Sequence, residues 1–204
     1  MGNGRTTSRQ PTWPRTVEEM TDLLLAPPIG ILALDVSTVR AGFCTGAPDK
    51  GSPIGGGSWD LPGANEFVFD RTTGKLFKSV REIARLVRPE WIIVEAYIAP
   101  SWESNFHTIS ALIELTGAVR AAASITGCKF KRISSSTVRS HFIGRGNLPS
   151  AKAKLAVQDR CDQLGWSYKD HDHADAIAIW SWGMSTYYRE WAPRSTPLFG
   201  RATA

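Results

Sequence analysis

Cysteine is scarce in this chain of 204 residues, and its few cysteines form no recognisable pattern. Cys44, Cys128 and Cys161 are odd in number and widely spaced, and no C-x-x-C pair occurs. A disulfide framework and a zinc site built on paired cysteines are therefore not indicated. We expect a protein of a reducing cytoplasm.

Long apolar runs are missing as well. No stretch of the sequence approaches the ~20 consecutive apolar residues of a membrane span. The first residues also lack the uninterrupted apolar segment of a secretory signal. We therefore expect a soluble, intracellular protein that does not contact a membrane.

Acidic side chains are fewer than basic ones, 19 against 24, which leaves a net charge of +5 at pH 7. A chain of this length suits one domain with a real core, and its apolar fraction of 42% is ordinary for a globular protein. The charge makes a polyanion a plausible partner, although a soluble protein that is merely basic remains the alternative.

Four carboxylates nevertheless occupy positions where a charge is costly. Asp35 ends the apolar run ILAL, Glu95 ends the run WIIV, and Asp172 and Asp175 lie together in the segment DHADAIA. An apolar run of this length indicates a buried strand, where a charge loses hydration unless a cation binds it. Three such segments together predict one metal site.

Hydrophobic spacing predicts the secondary structure between residues 30 and 190. Apolar runs bounded by Gly and Pro predict strands, and apolar residues that recur every three or four positions predict helices. The predicted strands cover about 30–35, 41–46, 54–61, 91–95 and 129–133, and the predicted helices about 76–88, 105–126, 150–164 and 172–189. Three strands followed by alternating helices and strands indicate a mixed α/β sheet with helices on its faces.

The four acids, in this order and context, resemble the pattern of the RuvC-like Holliday-junction resolvases, nucleases of the RNase H-like fold. That family has a first strand ending in Asp, a later strand ending in Glu, and D-x-x-D-A on a C-terminal helix. The likeness spans roughly residues 30–185 and includes the loop GRGN, followed by a basic helix start. It is closer to the phage-type branch of the family than to the host enzymes.

The resemblance implies an α/β protein of RNase H-like fold, with a five-stranded mixed sheet flanked by helices. We divide the chain into a flexible N-terminal extension at 1–29 that can form one short helix, a nuclease domain at 30–190 and a flexible tail at 191–204. The implied location is the cytoplasm of a bacterial cell, with a phage, a prophage or a bacterium as the source.

By the same resemblance the four acids hold Mg²⁺, for which Mn²⁺ would substitute, since both ions prefer oxygen ligands. Two such ions about 4 Å apart can activate a water and stabilise the leaving oxygen of a phosphodiester. We assign Asp35 to bridge the ions, Glu95 and Asp175 to lie nearest them, and Asp172 to bind directly or through another ligand. Two alternatives stay open: Asp172 only caps the final helix, or Asp170 replaces it if that helix starts later.

Two histidines, His171 and His173, flank the acid pair of the last segment. One of them could orient water or move a proton, since an unperturbed histidine has a pKa of ~6.5. A polar histidine that precedes a helix is an equally good interpretation. His107 and His141 lie away from this segment, and we interpret both as structural.

DNA binding is expected of basic and aromatic residues around the loop GRGN, whose glycines let a backbone approach phosphate closely. The host branch has a base-stacking aromatic residue three positions after the strand acid, where this chain has Ile98. Tyr97 or Trp102 could take that role. At least two of the basic residues would be only solvated surface. The predicted DNA-binding residues are Lys131, Arg132, Arg139, Arg145, Lys152, Lys154 and Tyr97.

We therefore predict a metal-dependent endonuclease that hydrolyses phosphodiester bonds in branched DNA, with the Holliday junction as first choice. The family cuts two symmetric strands as a homodimer. The helical stripe Ile109, Leu112, Thr116, Val119 and Ala123 could join two subunits or simply cover the sheet. Alternatives are a terminase-type or flap-nicking nuclease, a non-catalytic DNA-binding module and, from the segment DVST, an actin-like sugar kinase, for whose second domain this chain lacks room.

Overall fold

The computed structural model describes residues 30–63, 69–96 and 106–191. The predicted N-terminal extension and its short helix lie outside the described residues, as does the tail beyond Trp191. The two candidates for base stacking, Tyr97 and Trp102, also lie outside them.

Five strands form one mixed sheet in the order β3-β2-β1-β4-β5. The strands are β1 (Ile31–Val36), β2 (Arg40–Gly46), β3 (Gly55–Asp60), β4 (Trp91–Ala96) and β5 (Lys129–Ser134). The first three pair antiparallel as a meander, whereas β4 runs parallel to β1 and β5 runs parallel to β4. The predicted strands and the mixed sheet are confirmed.

Helices connect the parallel strands and cover both faces of the sheet. They are α1 (Phe69–Val87), α2 (Phe106–Ile125), α3 (Ser135–Ile143), α4 (Ser150–Leu164) and α5 (His171–Tyr187), with a short 3₁₀ turn at Pro48–Lys50. The sequence analysis missed α3 because a Ser/Thr run favours turns. Here the Ser134 side chain accepts a hydrogen bond from the backbone N–H of Thr137 at 3.2 Å, and this cap begins the helix.

The sheet separates two apolar layers. Along β1, Leu32 and Leu34 belong to the cluster with α1 and α2, whereas Ile31 and Ala33 belong to the cluster with α3, α4 and α5. Successive side chains of a strand point to opposite faces. The residue that follows Leu34, Asp35, therefore points to the α5 side.

Glycines let α5 lie directly on the sheet. A methyl group on Gly42 of β2 would overlap the carbonyl oxygen of Asp172 in α5. At Gly183 of α5, an added Cβ would lie 2.5 Å from Ile93 Cδ1 and 2.6 Å from Ile31 Cδ1. The backbone contact at Gly42 leaves no room for a side chain there, whereas at Gly183 the isoleucine side chains would have to move.

The C-terminal end of α5 is fixed by hydrogen bonds. The Tyr188 hydroxyl accepts from the backbone N–H of Gly30 at 2.9 Å and donates to Glu90 Oε2, also at 2.9 Å. Lys129 Nζ lies 2.8 Å from Glu90 Oε1, and its hydrogen bond, together with that of Tyr188, lowers the pKa of Glu90. This network ties the helix to the beginnings of β1, β4 and β5.

The apolar stripe on α2 covers the sheet, as one of the two alternatives held. Val119 and Ala123 are completely buried, and Leu112 packs against the same cluster. The buried part of the stripe, Val119 and Ala123, is therefore not available as a dimer surface. The opposite face of α2 is exposed and presents Ile113, which is 60% exposed, with Gly117 and other small residues.

Among the residues that the structure describes, one helix is long and apolar enough, by length and composition only, to cross a membrane. The stretch His107–Ile125 of α2 has a mean hydropathy of 1.3, and 33% of it is buried inside the protein. This differs from the expectation that no segment would qualify, because isoleucine, leucine, valine and alanine raise the average although polar residues separate them. A core helix passes the same test, and Glu114 and Arg120 interrupt this one.

We predict opposite effects for two glycine-to-alanine changes. Gly42→Ala should lower the free energy of unfolding by about 2 kcal/mol or more, because the methyl group overlaps the α5 backbone. Gly74→Ala should raise it by up to about 1 kcal/mol, because Gly74 lies within α1 and its added Cβ meets nothing within 4 Å. Urea denaturation measures both, and equal midpoints would contradict close packing at Gly42.

Candidate metal centre and DNA surface

Asp35 and Glu95 lie side by side at the carboxyl ends of two parallel strands. β1 and β4 pair up to the residue before each acid. Ala33 and Ile93, two residues earlier in each strand, belong to the apolar cluster on the α5 side of the sheet. Because strand side chains alternate, both acids point to that side.

The first turn of α5 brings the second pair of acids over the sheet. The Asp170 carboxylate accepts hydrogen bonds from the backbone N–H of His173 at 2.9 Å and from the Ser58 hydroxyl at 2.5 Å. Asp170 is thus the N-cap, and the helix begins at His171. The alternative that Asp172 caps the helix is wrong. Because the Asp170 carboxylate is engaged in capping the helix, Asp170 does not replace Asp172 as a metal ligand.

The four predicted acids lie close enough together that their charges shift the pKa values of Asp35 and Asp175. Burial raises the pKa of Asp35 well above its usual value, and the charges of Glu95, Asp175 and Asp172 raise it further. Burial and the charge of Glu95 raise the pKa of Asp175 to about 7. Carboxylates that perturb one another in this way share one small, poorly hydrated region.

Two basic side chains and a histidine lie against the acid cluster. Asp172 has His171 Nε2 at 3.1 Å, Lys154 Nζ at 3.7 Å and Arg40 Nη1 at 3.8 Å from its carboxylate oxygens. The charges of Lys154 and Arg139 oppose the rise in the pKa of Asp175. The cations therefore neutralise part of the negative charge but leave the two pKa values raised.

Sequence reasoning missed two residues of this site. Arg40 begins β2 and reaches Asp60 at 3.1 Å and Asp170 at 3.7 Å, in addition to the acid cluster. Ser135, at the start of α3, donates a hydrogen bond to Glu95. Neither residue belongs to a motif, and only strand pairing and helix packing bring them to the acids.

The chemistry of these groups fits a hard divalent cation. Mg²⁺ and Mn²⁺ prefer carboxylate oxygens, and the raised pKa values of Asp35 and Asp175 record negative charge that such a cation would neutralise. Among the described residues, however, no three His, Cys, Asp or Glu side chains are placed as a ready ligand set for one ion. Mg²⁺ usually keeps several waters and is held by only one or two carboxylates, so the acids present still fit such an ion.

The histidines have different environments. His173 is buried, and its Nδ1 accepts a hydrogen bond from the backbone N–H of Lys169 at 3.0 Å. Burial lowers its pKa, so it is a neutral, structural residue. His141 of α3 contacts a serine hydroxyl of α5 at 3.3 Å, in keeping with a structural role. Only His171, which is partly exposed beside Asp172, is placed to exchange a proton with the acid site.

Four of the predicted DNA-binding residues lie on the elements that border the acids. Lys154 and Arg139 act electrostatically on Asp175 itself. Arg145 and Lys152 are exposed, in the connection after α3 and in the first turn of α4. Lys154 and Arg139 therefore bring positive charge to the acid cluster, and Arg145 and Lys152 are exposed on the neighbouring elements.

Lys131 and Arg132 lie on β5 instead, at the free edge of the sheet. Phe130 packs with the α1 and α2 cluster, whereas Ile133 packs with the α5 cluster. By alternation, Arg132 points to the same face as Phe130, opposite to the acids, whereas Lys131 points to the acid side with Ile133. The single basic surface predicted from the sequence is therefore divided between two faces.

The meander of three antiparallel strands, continued by two parallel strands with helices on both faces, defines the class of RNase H-like α/β proteins.

No protein-family model matches the chain, and neither does any curated protein sequence. Solved structures do match. The Thermus thermophilus RuvC structure matches with a TM-score of 0.60 and 18% identity, covering 79% of this chain and 96% of that one.

Two further structures agree. T. thermophilus RuvC in complex with a Holliday junction substrate matches with a TM-score of 0.60 and 19% identity, covering 79% of this chain and 96% of that one. The yeast mitochondrial Holliday junction resolvase Ydc2 matches with a TM-score of 0.54 and 12% identity, covering 86% of this chain and 90% of that one. The chain therefore has the RuvC-like form of the RNase H-like fold, which confirms the predicted fold class.

The raised pKa of Asp175 predicts how stability changes with pH in the presence of EDTA. The folded protein keeps this proton up to about pH 7, whereas the unfolded chain releases it near its ordinary value of about 3.9. Stability from this group is therefore complete below about pH 4 and is lost as pH rises towards 7. Asp175→Asn should lack this loss. The melting temperature of the variant, relative to that of the wild type, should therefore rise by several degrees between pH 4.5 and 8.

Thermal denaturation of both proteins from pH 4.5 to 8 measures the difference. Glu82→Gln removes an exposed acid of α1 and serves as the control, since its profile should parallel that of the wild type. Parallel profiles for Asp175→Asn and the wild type would contradict the buried cluster.

Proposed function

We propose that the protein is a Mg²⁺-dependent endonuclease that hydrolyses phosphodiester bonds in branched DNA, with the Holliday junction as its preferred substrate. One observation carries the proposal: four carboxylates from two parallel strands and one helix meet on one face of a RuvC-like fold. The complex of T. thermophilus RuvC with a Holliday junction substrate supports the choice of DNA. The predicted location, the bacterial cytoplasm, remains part of this proposal.

Asp35, Glu95 and Asp175 would hold the metal, with Asp172 beside them. When bound, two divalent ions supply an activated water and stabilise the oxygen that leaves the phosphorus atom. Besides burial, all three of the other acids raise the pKa of Asp35. This supports its assignment as the ligand that two ions would share. Mn²⁺ should replace Mg²⁺ because both ions take oxygen ligands.

The surrounding residues would orient the reacting groups. Lys154 and Arg40 lie within 4 Å of Asp172 and can attract the phosphate next to the bond that is cut. Arg145 and Lys152 extend the positive charge outward and can hold the adjoining backbone. His171 can accept or supply a proton at its Nε2, which lies 3.1 Å from Asp172 Oδ1.

We predict that Asp35→Asn, Glu95→Gln and Asp175→Asn each lower the rate of cleavage of a four-way junction in Mg²⁺ roughly 100-fold or more, because metal stabilisation of the transition state is lost. Binding of the junction in EDTA should be unchanged or tighter, since a negative charge near phosphate has been removed. The exposed Glu82→Gln should cleave like the wild type. Wild-type rates for Asp35→Asn, or cleavage in EDTA, would contradict the metal site.

The type of substrate is tested with one panel of labelled DNAs. A four-way junction, a flap and a linear duplex of the same sequences should be cleaved in that order of preference. Equal cleavage of all three would favour the terminase-type nuclease, and preference for the flap would favour the flap-nicking one. Binding without cleavage in either Mg²⁺ or Mn²⁺ would favour the non-catalytic module.

A homodimer would supply two acid sites for the two equivalent strands of a junction. The exposed face of α2 supports such a contact, because Ile113 is 60% exposed and an added Cβ at Gly117 meets nothing within 4 Å. Small residues let two helices approach closely. The part of this face around Ile113 and Gly117 replaces the buried stripe as the proposed contact between subunits, and Arg120, two turns after Ile113, lies outside that contact over the Phe130 ring.

We predict that Ile113→Glu converts a dimer to a monomer, because an unpaired carboxylate would lose its hydration in the contact. Leu155→Glu is the matched control, since Leu155 is 62% exposed on α4. Sedimentation equilibrium should show half the mass for the first variant and the wild-type mass for the second. A monomeric wild type that still nicks one strand of a junction would overturn the dimer but leave the nuclease.

A further inference from the structure

A second cluster of positive charge lies at the free edge of the sheet, away from the acids. Arg120 of α2 and Phe130, Lys131 and Arg132 of β5, with Ala96 of β4, line an open depression of about 490 Å³. The guanidinium carbon of Arg120 lies 5.1 Å from the centroid of the Phe130 ring. We call this depression the edge pocket.

The cations of the edge pocket carry uncompensated charge. Arg120, Lys131 and Arg132 are all exposed, and within the described ranges none of them forms an ion pair with a carboxylate. Lys154 and Arg40 differ, since both lie against Asp172. Two of these cations, Arg120 and Arg132, lie on the face of the depression and are unpaired within the described residues, and the planar fork of an arginine matches a phosphate.

Protection of the sheet edge explains only part of this pattern. β5 is an edge strand, and lysine on such a strand discourages pairing with another chain. That reason covers Lys131. It does not cover Arg120, which belongs to a helix and stacks on Phe130. Residues from two elements converge on the depression, and a ligand explains that convergence.

We propose that the edge pocket binds the phosphate backbone of a nucleic-acid segment that leaves the acid site around the β5 edge. Arg132 pairs with Val94, the residue before Glu95, so the pocket and the acids lie at nearly the same height on opposite faces of the sheet. The segment bound in the pocket is therefore not the one that is cut. This inference rests on the proposed function, and one arm of a branched DNA meets both requirements.

The test compares variants that lose equal charge. Arg120→Ala/Arg132→Ala removes two cations from the edge pocket, and Lys78→Ala/Arg85→Ala removes two exposed cations from α1, on the same side of the sheet. Arg120→Lys/Arg132→Lys keeps the charge. Fluorescence anisotropy in EDTA measures the affinity for a labelled four-way junction with long arms at several salt concentrations.

The pocket variant should reduce the slope of log affinity against log salt by about two units, because each lost phosphate contact contributes about 0.9. The α1 control and the lysine variant should keep the wild-type slope. Arg132→Ala alone, which leaves the stack of Arg120 on Phe130 in place, should reduce the slope by about one unit and guards against a folding defect.

Equal slopes for the pocket variants and the α1 control would overturn the inference. This outcome is distinct from failure of the proposed function, because binding in EDTA needs no cleavage. A wild type that cleaves junctions while its pocket variants bind with unchanged slopes refutes the pocket alone. A wild type that never cleaves refutes the nuclease alone.

Discussion

The direct packing of α5 on the sheet is the contact on which the candidate site depends. Two acids belong to the sheet and two to the helix, so the cluster exists only while these elements touch. Gly42 and Gly183 permit that contact, and the buried Trp180 is among the large side chains of α5 that stabilise it. The packing opposes a real cost, since burial, and after it repulsion from the neighbouring acids, raises the pKa of Asp35.

The fold offsets this repulsion from several directions. Lys154 comes from α4 and Arg40 from β2, and both lie within 4 Å of Asp172. Ser135 donates a hydrogen bond to Glu95 from α3. Under the proposed function, a divalent cation would take over much of this neutralisation, and the same basic side chains would then be available to a phosphate.

Basic side chains lie on both faces of the sheet. Lys154 acts on the acid side, whereas Arg132 and Arg120 line a depression with Phe130 on the other. A chain that binds one straight duplex needs only the first group. A branched DNA, whose segments diverge from the point of cutting, gives both groups a ligand, and this links the two proposals.

Within the described residues, local pattern alone predicted the strands and four of the five α-helices, because periods of two and 3.6 residues record burial directly. It also identified Asp35, Glu95, Asp172 and Asp175, since an acid that ends an apolar strand, or lies on the buried side of a helix, stands out against its neighbours. The roles of Arg40 and Asp170, and the face on which Arg132 lies, were decided only by the tertiary structure. Strand register, and the helix packed on each face, determine what these polar residues contact, and no local spacing encodes either.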